Sequence, residues 1–344
     1  MTVLVTGSNG YIGSILTDEL LKKNYDVKGY DVNYFYDCNL IKIENNLTNH
    51  IKKDIRNIED DDLKGIDAVI HLAGLANDPL GDFDPKLTEE INYQSTLKLA
   101  ELCKKQKVKR FIYASSQSMY GVSDNNEELE EENSKKNPVT AYAKTKWEAE
   151  KKIKILNDDD FTVVMFRPST VFGASPRLRC DIVYNSLIAS AFTTGKIEIL
   201  SDGSPWRPVI HIKDLCNALI SGLEAPKNLV SGQSFNVGIE NGNYTVRELA
   251  EVAQRVVPGS KLVFLNQHND PRTYRVSFKK ILNTLKDYFK PKWNLESGGN
   301  ELVQYFKDIN FTENDFRNEK VNRLKKLEKL IKEKKINNRL EWIL

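Results

Sequence analysis

The chain has 344 residues, 40% of them hydrophobic and 28% charged, with a net charge of +2. That is enough apolar material for one large α/β domain or two of unequal size, and the near balance of charge supplies no field that would draw in nucleic acid or a membrane surface. A small molecule is the expected partner. Cys38, Cys103, Cys180 and Cys216 stand far apart, with no CxxC pair and no nearby histidine cluster, which argues against a disulfide framework or a metal site and for buried thiols in a reducing compartment.

Val3-Leu4-Val5-Thr6 followed by Gly7-Ser8-Asn9-Gly10-Tyr11-Ile12-Gly13 reads as a buried strand, a glycine turn and the first turn of a helix. Gly7 lets the chain turn sharply, Gly10 leaves bare backbone for a pyrophosphate, and Gly13 lets helix and strand pack closely. A cleaved signal peptide would remove this turn, and no apolar run approaches the ~18 residues of a membrane span, so a cytoplasmic protein is expected. Ile12, Ile15, Leu16, Leu20 and Leu21 recur at helical spacing before a second strand over 26–30. Asp31 closes that strand about 20 residues past the glycines, where a carboxylate accepts hydrogen bonds from ribose hydroxyls and repels a 2′-phosphate. With no arginine in 29–33, NAD is expected over NADP; the plainer alternative for a lone Asp there is a turn or cap.

The run Ala68-Val69-Ile70-His71-Leu72-Ala73-Gly74 predicts a buried parallel strand whose tip, Leu72 and Ala73, passes close under a cofactor, with His71 as a satisfied core histidine. Residues 75–85 form a polar loop across the mouth of the sheet, and 85–106 read as one long helix with Leu87, Ile91, Leu97, Ala100 and Leu102 as a core or dimer stripe. A strand over 111–116 ends in Ser115 and Ser116. Residues 127–136 read as a solvated charged loop. On the following helix Tyr142 and Lys146 stand at i and i+4, one turn apart on one face, the spacing at which an ammonium can hold a phenolate.

The Gly-x-x-Gly-x-x-Gly turn led by Thr6, the acidic end of the second strand, Ser116-Gln117-Ser118-Met119-Tyr120-Gly121 and Tyr142-x-x-x-Lys146, in this order, resemble the extended branch of the short-chain dehydrogenase/reductase superfamily, the NAD-dependent epimerase/dehydratase family, over roughly residues 1–310. The resemblance implies a Rossmann-type doubly wound parallel sheet with a smaller C-terminal substrate-binding lobe. The expected divisions are 1–168 for the NAD domain, with later segments returning to it, 169–311 for the lobe, and 312–344 for a helical tail. It further implies Ser116, Tyr142 and Lys146 as the catalytic set, and NAD held by Gly7, Gly10, Tyr11, Ile12, Gly13, Asp31, Asp54, Ile55, Leu72, Ala73, Ser115, Tyr142 and Lys146, with Asn92 facing the site. A secondary alcohol that gives up a hydride also loses a proton, so the base needs a pKa nearer neutral than tyrosine's ~10, and Lys146 is expected to supply that shift while Ser116 steadies the reacting oxygen.

In the second half Thr170-Val171-Phe172-Gly173 is similar to the family's Asn-Val-Tyr-Gly, with Thr170 in the asparagine's place. Arg177 and Arg179 form a compact basic loop, and the resemblance implies that Arg207 and Arg272 bind the substrate's diphosphate. A surface ion pair is the alternative for any one arginine. Trp206 could stack on a base or pack the lobe. Thr245 predicts a cap for a helix to Val256, and the tail carries Phe316, Val321, Leu324, Leu327, Leu330 and Ile331 at helical spacing, for packing on its own subunit or a partner rather than a membrane. The expected protein is a homodimeric epimerase of a nucleotide-diphosphate sugar that works through a 4-keto intermediate, because Gln117 and Ser118 stand where dehydratase relatives carry Asp-Glu. A 4,6-dehydratase, a 4-oxidase/reductase and a non-catalytic dinucleotide sensor are the alternatives.

Overall fold

The computed structural model describes residues 1–41, 47, 49–123, 127–265 and 273–343. The strands are β1 (Thr2–Thr6), β2 (Asp26–Asp31), β3 (His50–Lys52), β4 (Ala68–His71), β5 (Arg110–Ala114) and β6 (Thr162–Pro168), then β7 (Thr170–Phe172), β8 (Lys196–Ile199), β9 (Trp206–His211), β10 (Ser234–Val237), β11 (Asn243–Thr245) and β12 (Lys261–Phe264). Seven of them make one parallel sheet in the order β3-β2-β1-β4-β5-β6-β10. This is a Rossmann-type fold. The chain builds outward from β1 in one direction and from β4 in the other, so the loops that follow these two neighbours diverge and a crevice opens at their carboxyl ends.

The strand sequences explain why both faces are covered. Val3 and Val5 join one buried cluster while Leu4 joins a second, and Ile70 and Val69 of β4 divide in the same way. Alternate residues of a strand point to opposite faces, so an unbroken apolar run requires a helical layer on each side. Each aliphatic side chain so buried contributes roughly 2 kcal/mol. A third cluster, with Phe172, Tyr184, Leu249 and Leu302, lies under the small sheet β11-β9-β7 and the β12-β8 pair; Tyr11 from the glycine turn belongs to it. The helix Val246–Val256 starts on a capping box of Thr245 and Glu248.

Two elements differ from their sequence reading. The helix expected over 85–106 runs as Pro85–Glu89, a π-helical turn Glu90–Gln94 and Ser95–Lys105, and Ser95 fills the wide turn by donating to the Glu90 carbonyl at 2.9 Å. Its stripe is core at Leu87, Ile91 and Ala100. The loop 127–136 is not wholly solvated, because Glu131 is buried and accepts the Asn236 N–H of the edge strand β10 at 2.7 Å. An edge strand carries backbone donors that need acceptors, and here a side chain provides one. The tail packs on its own chain, as its apolar stripe predicts: the helix Arg323–Lys332 and the turn after it place Leu327, Leu330, Ile336 and Leu340 in the same cluster as Leu4 and Val69. All four cysteines are buried and free, and no helix among the described residues is long and apolar enough to cross a membrane.

Candidate active site

A cleft of about 970 Å³, its mouth included, follows the carboxyl ends of β1, β2 and β4. Gly7, Gly10, Tyr11, Ile12, Gly13, Asp31, Asp54, Ile55, Leu72 and Ala73 all line it. The glycines are there for contact. Gly7 has φ +73° and a Cβ on it would stand 2.9 Å from the Ala73 nitrogen; a Cβ on Gly13 would stand 2.1 Å from the Gly7 carbonyl oxygen. Any side chain at either position would push the turn off β4 or the helix off the turn. The helix Tyr11–Lys22 has Gly10 at its cap, no side-chain cap bond and no acidic residue in its first turn, so its N-terminal residues face the cleft without a carboxylate of their own. Such an end suits a phosphate.

Asp31 accepts from the Asn9 N–H at 2.9 Å and the Asn33 N–H at 2.7 Å. Burial raises its pKa, against the pull of those bonds, His50 and Arg177. The sequence around Asp31 holds no arginine, yet folding brings Arg177 to it, buried and with no bond to its Nε among the described residues. Asp54 caps the short turn Ile55–Asn57 and pairs with Arg56 through both oxygens, at 3.0 and 2.6 Å. His71 is a core histidine: Thr96 donates to the Asn92 carbonyl and accepts from Nε2 at 2.8 Å, which leaves Nδ1 to accept from Thr6 at 2.6 Å. Burial lowers its pKa to about 3, so it is neutral. Asn92 is buried behind the site, where its side chain makes both bonds to the Leu75 backbone, at 2.8 and 3.0 Å, and braces the start of the loop across the mouth.

Ser116, Tyr142 and Lys146 come together at the tip of β5 and on the helix Ala141–Ile155. The Ser116 hydroxyl lies 2.8 Å from the Ser118 hydroxyl and close enough to the Tyr142 phenol to act on its pKa. Burial pushes the phenol up to about 12, with Ser116 and Arg179 pulling down and Asp78 and Tyr274 pushing up. Lys146 does not act on it as expected. Its Nζ donates to the Ala114 carbonyl at 2.8 Å, above the Tyr113 ring, and burial lowers its pKa to about 7. Ser115, read as a cofactor contact, is like Ser116, Tyr142 and Lys146 not among the residues that line the cleft, and its hydroxyl donates to Glu150 at 2.6 Å, within a buried pair of Glu150 and Arg167. Gln117 is likewise turned inward and bonds the carbonyls of Arg167 and Val237 at 3.0 and 3.3 Å.

The residues expected to meet substrate divide between two places. Thr170 on β7 and Arg207 on β9 lie on paired strands, with Thr170 opposite Val209. Arg177 and Arg179 lie instead on the cofactor side, Arg177 near Asp31 and Arg179 on the cleft lining, where it forks onto Asp181 at 2.9 and 3.0 Å. Arg272 lies outside the described residues. Trp206 packs under the Arg275 guanidinium, 4.9 Å from its ring centre. Sequence reading missed three contributors. Ser118 beside Ser116 had only its adjacency as a signal, and Glu301, which joins His211 and Lys213 at 2.8 and 2.6 Å, had none. Arg323 lines the cleft from the tail helix. A cation at the first position of a helix opposes the helix dipole, and that mismatch was legible.

A glycine cradle that tolerates no side chain, a bare helix N-terminus and a half-buried carboxylate at the end of β2 fit a dinucleotide's diphosphate and ribose, and the Ser-Tyr-Lys cluster beside it is suited to proton and hydride exchange at an alcohol. The fold and site define a nicotinamide-dependent short-chain enzyme. Residues 3–238 match the model of the NAD dependent epimerase/dehydratase family, and the chain belongs to that family, whose cofactor is NAD. It is similar to a UDP-glucose 4-epimerase of Bacillus subtilis, 29% identical over 291 residues, 74% of this chain and 82% of that one. It is 27% identical over 320 residues to UDP-glucuronic acid decarboxylase 1 of Danio rerio, covering 88% and 72%. Among solved structures, UDP-glucuronic acid 4-epimerase from Bacillus cereus in complex with NAD superposes with TM-score 0.76 at 26% identity, covering 90% of this chain and 97% of that one. The chain is thus an NAD-dependent enzyme of nucleotide-sugar modification.

Proposed function

We propose that the chain is an epimerase of a nucleotide-diphosphate sugar that works through a transient 4-keto intermediate. The observation that carries the reading is the fate of residues 117 and 118. Gln117 is spent on the carbonyls of Arg167 and Val237, and Ser118 presents only a hydroxyl beside Ser116. Expulsion of water needs a proton donor and a base at adjacent carbons, and neither side chain titrates near neutral pH.

Bound NAD supplies an acceptor that takes a hydride from the sugar and returns it, together with a positive ring close to the base. Tyr142 takes the proton of the sugar hydroxyl, and Ser116 donates to the oxygen on which charge develops. The phenol starts near 12, so neighbouring positive charge must lower its pKa before it can act as a base at neutral pH. Lys146, on the same face of the helix and bonded to the β5 tip, holds the nicotinamide ribose. Thr170 and Arg207, with Arg272, receive the sugar diphosphate from the smaller lobe. Two relatives of similar identity, an epimerase and a decarboxylase, both handle UDP-sugars by name, which supports a UDP-linked hexose or hexuronic acid as the first substrate to try.

A second reading, a dehydratase, is favoured by one observation: Asp78 lies close enough to Tyr142 to raise its pKa. A panel of nucleotide sugars incubated with the protein, with products read by mass spectrometry and NMR, separates the two. An isomer of unchanged mass is expected. A product lighter by one water, abolished by Tyr142→Phe and by Asp78→Asn, would replace the epimerase with the dehydratase.

A further inference from the structure

The tail reaches the cofactor cleft with a charged group. Arg323, 2% exposed, stands at the first position of the helix Arg323–Lys332 and lines the same cleft as Gly7, Gly10 and Arg179. One guanidinium nitrogen donates to the Arg177 carbonyl at 2.6 Å and another to the Lys320 carbonyl at 2.9 Å, and the guanidinium lies 4.8 Å from the Phe35 ring centre. The group has more donors than these two bonds use.

The charges around it do not balance. Arg177, Arg179 and Arg323 are all buried, and Arg177 and Arg179 both disfavour the charge on Arg323, while Asp31 acts on Arg177 and Asp181 on Arg179 and Arg323. Asp181 is already shared between the Arg179 fork and the Arg323 N–H. Among the described residues, three buried cations against two carboxylates, one of the cations set against a helix dipole, is an arrangement that costs stability unless an anion joins it. The cleft between them ends on the bare N-terminus of the cradle helix, so the missing charge belongs in the cleft.

The tail is also fastened to the wall of the cleft that would meet the adenosine. Trp342 donates to the Val32 carbonyl at 2.7 Å, Tyr34 donates to the Leu340 carbonyl, and Lys326 pairs with Asp37 at 2.7 Å. Val32, Tyr34 and Phe35 line the cleft themselves. The tail's anchors to Val32 and Tyr34 are thus set on the cleft wall itself. The family match ends at residue 238, so this device lies outside it.

We infer that the C-terminal segment is part of the cofactor site: Arg323, together with Arg179, clamps the dinucleotide's diphosphate, and the tail that carries it straps the adenosine end shut. The inference depends on NAD binding and not on which sugar reaction is catalysed. Retention of this kind suits an enzyme that uses NAD without net turnover.

The test uses the full chain stripped of nucleotide, with NAD, ADP and adenosine as probes in calorimetry. Arg323→Gln is expected to weaken NAD and ADP about 10-fold or more and adenosine less than about 2-fold, with Arg323→Lys between, because a point charge replaces the fork. The NAD content of freshly purified Arg323→Gln, read after denaturation, is expected to fall in step. Unchanged NAD and ADP affinity in a folded Arg323→Gln, or an equal loss for adenosine, would overturn the clamp. Should both variants fail to fold, hydrogen exchange on the wild-type chain decides: NAD is expected to slow amide exchange across residues 323–343, and exchange indifferent to NAD would overturn the strap. Each readout is independent of sugar turnover, so a wrong substrate does not imitate its failure.

Discussion

Thr140 donates its hydroxyl to Asp78 at 2.5 Å and accepts the Ala143 N–H at 3.1 Å, so one side chain caps the helix that carries Tyr142 and ties it to the segment across the cleft mouth. Close packing supports the tie, since a Cβ on Gly81 would stand 2.8 Å from the Tyr142 Cβ. Asp78 thereby holds the base in place and brings a negative charge near it. Asp78→Asn keeps an acceptor for Thr140 and removes the charge. The phenol then ionises more readily, so the acid limb of kcat/KM against pH should move down by ~0.5 unit, with the melting temperature little changed. A limb that does not move would mean that solvent or a bound ligand screens Asp78 from Tyr142.

Cofactor choice rests on Asp31 and its neighbour Arg177. The wild-type protein should bind NAD at least ~10-fold more tightly than NADP, a difference of about 1.4 kcal/mol. Asp31→Ser removes the charge that would repel a 2′-phosphate and leaves the Arg177 guanidinium, whose Nε has no bond among the described residues, to receive one. NADP should then come within ~3-fold of NAD in calorimetry. Adding Arg177→Met should undo that gain; a double variant that still accepts NADP would place the phosphate elsewhere.

What the sequence revealed and what it hid follow one rule of distance along the chain. The glycine turn, the Tyr142 and Lys146 spacing and the Thr245 cap are each settled within a few residues, by backbone geometry that neighbours alone determine. Arg177 beside Asp31, Glu131 under Asn236 and Arg323 over Phe35 each join distant segments, and no local pattern encodes such a meeting. The π turn at Glu90–Gln94 lies between these cases. Its residues favour a helix, and the Ser95 bond to the Glu90 carbonyl that fills the wide turn is seen only in the fold.

The buried pair of Glu150 and Arg167 binds the site's supporting strands together. Arg167 on β6 meets Glu150 at 2.5 Å, and Ser115 from the β5 tip and Ser234 from β10 donate to the same carboxylate at 2.6 and 2.8 Å. Burial alone would raise the pKa of Glu150, but Arg167 and the two hydroxyls outweigh it and hold the carboxyl below its ordinary value. Glu150→Gln leaves a buried guanidinium uncompensated and should lower the unfolding free energy by about 3 kcal/mol. Denaturant unfolding at constant m-value measures it. A loss under ~1 kcal/mol would show that water or a shifted side chain reaches Arg167.

Lys146 should make the stability of the NAD-free protein depend on pH in a way that its catalytic role hides. Burial depresses its folded pKa to about 7, while in the unfolded chain a lysine keeps its proton to about 10.4. Between those values the unfolded state holds more protons than the folded one, so folding grows more favourable as pH rises from 7 toward 10, and the cost of burying the ammonium is felt in full below pH 7. Lys146→Met removes that titration. The wild-type protein stripped of nucleotide should therefore gain stability relative to Lys146→Met between pH 7 and 9.5, in paired denaturant titrations, although the variant loses turnover and some NAD affinity. Other groups titrate over the same window, but they are common to both proteins and cancel in the difference. Parallel stability curves would mean that the Lys146 ammonium keeps its proton in the fold, held by the Ala114 carbonyl and water, and that it is already charged when NAD arrives.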